Sequence, residues 1–150
     1  MLNDSKTIID YYYGALGSTI RIDVQELEWL KYLRNKIEQL RRRTLDCIDF
    51  LQLEDIIVSN VVSFSLATVC KNRHSYIALS FNENKKASIR WNRTIEEIIS
   101  LLEFIDELIE NDKPGHQYLE NNYEDLVVEL AYKEFSPYSE MLRLNLERLK

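Results

Sequence analysis

Two cysteines and two histidines are the side chains best suited to hold a metal or to activate a nucleophile in this 150-residue sequence. Cys70 and His74 have the i,i+4 spacing that pairs ligands on a helix. Here, however, they straddle the end of an alternating segment and the polar connection Lys71-Asn72-Arg73-His74. Cys47 and His116 would complete four zinc-type donors, but nothing local makes them converge, and a cysteine is usually a small hydrophobe. No metal site is expected. His116 lies in Pro114-Gly115-His116-Gln117-Tyr118-Leu119-Glu120, which reads as a loop between a helix and a strand. Loops on rigid scaffolds often carry function. His116 could serve there as a general base, oriented by Glu120 or Asp112. No G-x-S-x-G nucleophile accompanies it, and the commoner role is an imidazole whose two nitrogens tie a loop to nearby backbone. Gly14, Gly17 and Gly115 are the only glycines, and they form neither G-x-G-x-x-G nor a phosphate loop. Carboxylates are too numerous to single out a catalytic pair, whose separation sequence spacing does not supply. The expectation is a protein with no catalytic residues and no cofactor, and not an enzyme.

Charge is the stronger signal. The chain carries 19 basic and 25 acidic residues, net −6. Residues 1–90 hold 13 basic and 11 acidic side chains, and residues 91–150 hold 6 and 14, so the balance moves from +2 to −8. An acidic half repels phosphate backbones, which disfavours nucleic acid and favours a basic protein partner. The acid concentrates on one segment, 94–111. On an ideal helix Glu96, Glu103, Glu107 and Glu110 fall within about 60° of one another, and Asp106 widens the stripe on one side. No Lys or Arg lies between Thr94 and Asp112. A solvated face is one reading and a docking face the other. With His116 and Tyr118 these five carboxylates are the candidate partner-binding residues.

The elements that would carry them follow from periodicity. Residues 7–13, rich in β-branched and aromatic types, and 18–22 read as a hairpin about Gly14-Ala15-Leu16-Gly17. Asp23 and Glu26 suggest a capping box for a helix over about 24–42, with Trp29, Leu30, Leu33, Ile37 and Leu40 as its apolar stripe. Arg41-Arg42-Arg43 would place cations at its negative end. Short strands are expected around 48–51 and 53–58. Alternation over 62–67, 77–81 and 87–91 then predicts a three-stranded antiparallel meander. Thr94 and Glu97 form a second capping box, for a helix that turns Ile98, Leu101, Leu102, Ile105, Leu108 and Ile109 to one face and stops before Lys113-Pro114-Gly115. Residues 125–132 read as a buried strand. Residues 137–149 suit a helix begun by Ser136-Pro137, although Leu142-Arg143-Leu144-Asn145-Leu146 alternates like a strand. The sum is one α+β domain over residues 1–150, an antiparallel β-sheet with two main helices packed on it and a short C-terminal helix.

The order of hairpin, capped helix with Glu28-Trp29-Leu30, meander and second helix, then Gly115-His116-Gln117-Tyr118-Leu119-Glu120 leading into Leu126–Glu134, resembles small bacterial immunity proteins of polymorphic or contact-dependent toxin systems. The resemblance spans most of the chain and is carried mainly by the His-Gln-Tyr-Leu segment and the strand after it. It implies a non-catalytic inhibitor that binds a cognate toxin domain in the cytoplasm, and the acidic second half suits a basic, nuclease-like one. That compartment also fits an N-terminus without a basic stretch and apolar run, and no segment suits a membrane span. The rival readings are an adaptor or homodimeric interaction protein and, less favoured, a small hydrolase using His116.

Overall fold

The computed structural model describes residues 6–70, 72–122 and 126–134. The helix-or-strand expectation for 137–149 lies outside them. Within them are two helices and nine strands, in the order β1 (Thr7–Gly14), β2 (Gly17–Val24), α1 (Leu27–Arg41), β3 (Cys47–Asp49), β4 (Ile56–Ser59), β5 (Val61–Thr68), β6 (Tyr76–Phe81), β7 (Ala87–Arg93), α2 (Ile95–Asn111), β8 (Gly115–Asn122) and β9 (Leu126–Tyr132). The fold is α+β, but there are two sheets and both are mixed. The first runs β4-β1-β2-β9-β8 and the second β3-β5-β7-β6.

The hairpin forms as expected, with Gly14 opposite Gly17. A side chain at 14 would meet the Tyr12 ring at 2.7 Å, and Gly17 has φ 94°, so each glycine answers a separate demand of the turn. β2 continues through Val24, because Asp23 pairs with Ile8 and Ala131 and Val24 pairs with Tyr132. Asp23 is therefore not an N-cap. It is buried in the strand and accepts a 2.8 Å hydrogen bond from Gln25 Nε2. Glu26 stands at the cap of α1 with no side-chain cap bond. Sheet pairing on both sides of β2 overrides the local capping signal.

The antiparallel meander is also corrected. β6 and β7 form an antiparallel hairpin, but β7 lies between β5 and β6 and runs parallel to β5. Alternation identifies strands without fixing their neighbours. Burial explains the order: Ala87, Ile89 and Trp91 of β7 are all 1% exposed or less, whereas β6 is half-buried to exposed. A register shift between Val61 and Ser63 turns Val62 outward and leaves Val61, Phe64 and Leu66 inside.

One cluster of buried residues joins all these layers. Trp29, Leu30, Leu33, Ile37 and Leu40 of α1 and Ile98, Leu101, Leu102 and Ile105 of α2 are buried as expected. They meet Ile20, Ile22, Val128 and Leu130 of the first sheet and Phe64, Leu66, Ile89 and Trp91 of the second. α1 packs on α2 and on β2, β3 and β5, so the helices fill the space shared by two sheets. The other face of β9 is buried too, at Val127, Glu129 and Ala131.

Candidate functional site

Helix α2 starts on the expected capping box. Thr94 Oγ1 accepts from Glu97 N at 3.2 Å, and the Glu97 carboxylate accepts from Thr94 N at 3.0 Å. With the apolar stripe turned inward, Glu96, Glu103, Asp106, Glu107 and Glu110 are all exposed. They do not remain equivalent. Asp106 faces α1, where Arg34 grips both its oxygens at 2.8 and 3.2 Å. That bidentate bond raises the pKa of the Arg34 guanidinium further. Glu96, Glu103, Glu107 and Glu110 form no ion pair among the described residues. The absence of basic residues inside 94–112 thus leaves four carboxylates uncompensated and misses the cation that α1 brings to the fifth.

Beside this stripe α2 and β8 enclose a groove of about 210 Å³, lined by Arg93, Glu97, Ser100, Leu101, Phe104, Tyr118 and Leu119. His116 and Tyr118 are in strand β8, not a loop. Pairing on β9 puts His116 opposite Ala131 and Tyr118 opposite Glu129. β9 in turn sets Glu129 beside Arg21 of β2, and β2 sets Arg21 beside Asp10 of β1. Residues in register share a face, so the ladder alone assembles Asp10, Arg21, Glu129 and Tyr118 on the side of the sheet away from the helices.

The second depression, about 270 Å³, opens there. It is lined by Tyr12, Ala15, Leu16, Thr19, Arg21, His116, Tyr118, Glu129 and Glu134. His116 Nδ1 and Glu134 Oε2 are 2.6 Å apart. Arg21 stands 3.5 Å from Glu129 and 3.7 Å from Glu134. Tyr12 Oη donates to Glu129 Oε2 at 3.4 Å, and burial, then the Glu129 charge, pushes the Tyr12 phenol up. The Tyr118 ring meets His116 edge-on at 5.5 Å. By donor type His116, Glu129 and Glu134, whose ligand atoms lie within 4.8 Å of one another, suit a divalent cation. The Arg21 guanidinium already supplies positive charge between the two carboxylates. A His–Glu pair can also move a proton.

The zinc-type set does not assemble. Cys47 and Cys70 are exposed thiols, and the groups gathered around His116 are Glu129 and Glu134. Nor does Asp112 orient His116, because it accepts from Tyr132 Oη and from Lys133 Nζ. Arg21, Tyr12, Glu129 and Glu134 were not anticipated. For Arg21 and Glu129 the signal is a lone charge inside an apolar strand, Ile20-Arg21-Ile22 and Val128-Glu129-Leu130, since a buried charge requires a partner. A further depression, about 510 Å³ and lined by Lys6, Glu26, Glu28, Trp29, Tyr32, Glu54 and Asp55, shares no lining residue with these two. Compared with protein-family models, curated proteins and solved structures, the chain matches none.

Proposed function

We propose that this chain is a non-catalytic binding protein that neutralises a basic protein partner in the cytoplasm, as an immunity protein does with its toxin domain. The observation that carries the reading is a juxtaposition. Four exposed glutamates, without ion pairs among the described residues, share α2 with a groove whose opposite wall presents Tyr118, 42% exposed and common to both depressions. Unneutralised carboxylates steer a basic partner toward the surface. A rigid tyrosine beside them suits an anchor, because such side chains dominate binding energy. On this reading Glu96, Glu103, Glu107 and Glu110 govern encounter, Tyr118 and His116 govern retention, and Asp106 contributes little because Arg34 already holds it.

The test is association kinetics, measured against salt, with the basic protein partner that the unaltered chain captures. The double change Glu103→Lys with Glu107→Lys leaves the far-UV spectrum unchanged and slows association by about tenfold or more at low ionic strength, within the range of steering effects. Tyr118→Ala speeds dissociation with little change in association rate, the usual pattern for a central contact. Rates for the double variant that match the parent from low to high salt would sink the α2 surface. The 2.6 Å His116–Glu134 contact favours a second reading, acid–base catalysis in the sheet-face cleft. Under that reading His116→Gln abolishes activity while neutralisation of the toxin domain is not the readout that moves.

A further inference from the structure

One edge of the second sheet suggests a second interaction, separate from the α2 carboxylates. Among the described residues the two sheets have four edges, and three are blunted in the ways natural edges usually are. β3 has three residues and β4 has four. β8 carries a register shift between Tyr118 and Glu120. β6 has none of these features. It runs six residues, Tyr76–Phe81, in unbroken register with β7, and its sequence YIALSF holds no charge and no proline. β7 is its one ladder partner among the described residues, so the backbone groups of alternate β6 residues point away from the sheet. The flank is apolar as well. Ile77, Leu79 and Phe81 lie in register with the buried Trp91, Ile89 and Ala87, and Phe81 is still 51% exposed.

We propose that β6 pairs antiparallel with β6 of a second copy of this chain about a two-fold axis, joining two four-stranded sheets into one of eight. The strand is suited to pairing with itself. Outward backbone groups recur at every second residue, so an antiparallel self-pair must have its axis through a residue. With Leu79 on the axis, Ile77 faces the second copy's Phe81, Ala78 faces Ser80, and Leu79 faces itself. This register extends the apolar stripe of the core face across the axis and covers Phe81 in both copies. With Ala78 on the axis Phe81 gains no partner within the strand, and with Ser80 on the axis Ile77 gains none, so the Leu79 register is the one assigned. Aromatic and β-branched side chains directly opposite each other stabilise such pairs.

Two features set the strength. Six residues a side is a small contact, and interfaces below ~1,200 Å² are typically transient. The strand is flanked by Arg73 and His74 at one end and by Glu83, Lys85 and Lys86 at the other. Antiparallel pairing brings these predominantly basic ends together. Screening relieves that repulsion, so self-association strengthens with salt, the opposite of docking on the acidic stripe.

Sedimentation equilibrium over roughly 10 µM to 1 mM, bracketing weak dissociation constants, tests the pairing at low and moderate salt. The unaltered chain dimerises in the upper part of that range, more tightly at the higher salt. Ala78→Lys with Ser80→Lys, which sets lysine against lysine twice, raises the dissociation constant at least tenfold, with far-UV dichroism confirming the fold. Amide hydrogen exchange of the unaltered chain gives a reading independent of the variant: protection over 76–81 increases with protein concentration. A monomer throughout, a dimer indifferent to the two lysines, or concentration-dependent protection confined to other strands would overturn the proposal.

Discussion

Glu97 is held by more groups than any other carboxylate on α2. It accepts from Thr94 N at 3.0 Å and Thr94 Oγ1 at 2.9 Å, pairs with Arg93, and receives Ser75 Oγ at 3.5 Å. Burial works to raise its pKa, but the Thr94 hydrogen bonds and the Arg93 charge outweigh it and the net shift is downward. Asp112 is lowered by hydrogen bonds from Lys133 and then Tyr132. Glu38, gripped first by Arg41 and also by Arg42, falls from 4.5 to about 2. A carboxylate with a depressed folded pKa stabilises the fold above its unfolded value, and that stability is lost as pH falls through the folded one. The melting temperature is therefore expected to drop as pH is lowered from about 4.5 toward 2, the window set by Glu38. Glu97→Gln should show a shallower fall than the parent over the acid range in parallel thermal scans. Thr94→Ala, which removes one half of the capping box, should cost about 1 kcal/mol in chemical denaturation. Leu102→Ala is expected to cost roughly 2–5 kcal/mol, since Leu102 is 5% exposed in the core. A loss below about 0.5 kcal/mol would be a surface value and would mean that α2 is rotated from the orientation described.

At the scale of elements, α1 and α2 show what local sequence can and cannot reveal. Their apolar stripes were legible because the burial of Trp29, Leu33, Ile37, Ile98, Leu102 and Ile105 follows from a 3.6-residue period alone. The start of α2 was legible because both capping partners sit within four residues. The start of α1 was not, because β1 and β9 extend β2 beyond Asp23, and β9 lies more than a hundred positions away. The order of β5, β6 and β7 was hidden for the same reason: alternation reports which side of a strand is wet and is silent about its neighbours. The site divided along the same line. The α2 carboxylates are neighbours in sequence and could be read directly. The Arg21–Glu129–Glu134–His116 group draws on β2, β8, β9 and the residue two places beyond β9, so the sheet register had to be known first. The Arg34–Asp106 bridge between the helices likewise had no sequence signal. Its side chains are 33% and 49% exposed, so a double-mutant cycle with alanine at both positions should give a coupling under about 1 kcal/mol, shrinking with salt, as exposed pairs do. A coupling of several kcal/mol would show that the bridge is shielded from water.

The whole molecule has two sheets but one continuous core, and its two tryptophans report on different parts of it. Trp29 sits on α1 and donates to Glu54 O at 2.8 Å, while Trp91 is at the centre of the second sheet beside Phe64. A shared core predicts one cooperative transition. Trp29→Phe and Trp91→Phe variants, each leaving a single fluorophore, should unfold with their own fluorescence and far-UV dichroism coinciding. Separate midpoints would mean that the two sheets melt independently. The position of β9 has a consequence for how the protein is made. Thr19 pairs with Val127, 108 positions later (127 − 19), and β9 fills the gap between β2 and β8. On the ribosome the β1–β2 hairpin emerges early, yet the β2 edge stays open until Leu126–Tyr132 leaves the exit tunnel. Pairings this distant close late and slowly, and an unpaired apolar strand is prone to aggregate while it waits. A nascent chain stalled before residue 126 should therefore remain protease-sensitive and bind holdase chaperones, and release of β9 should abolish both together.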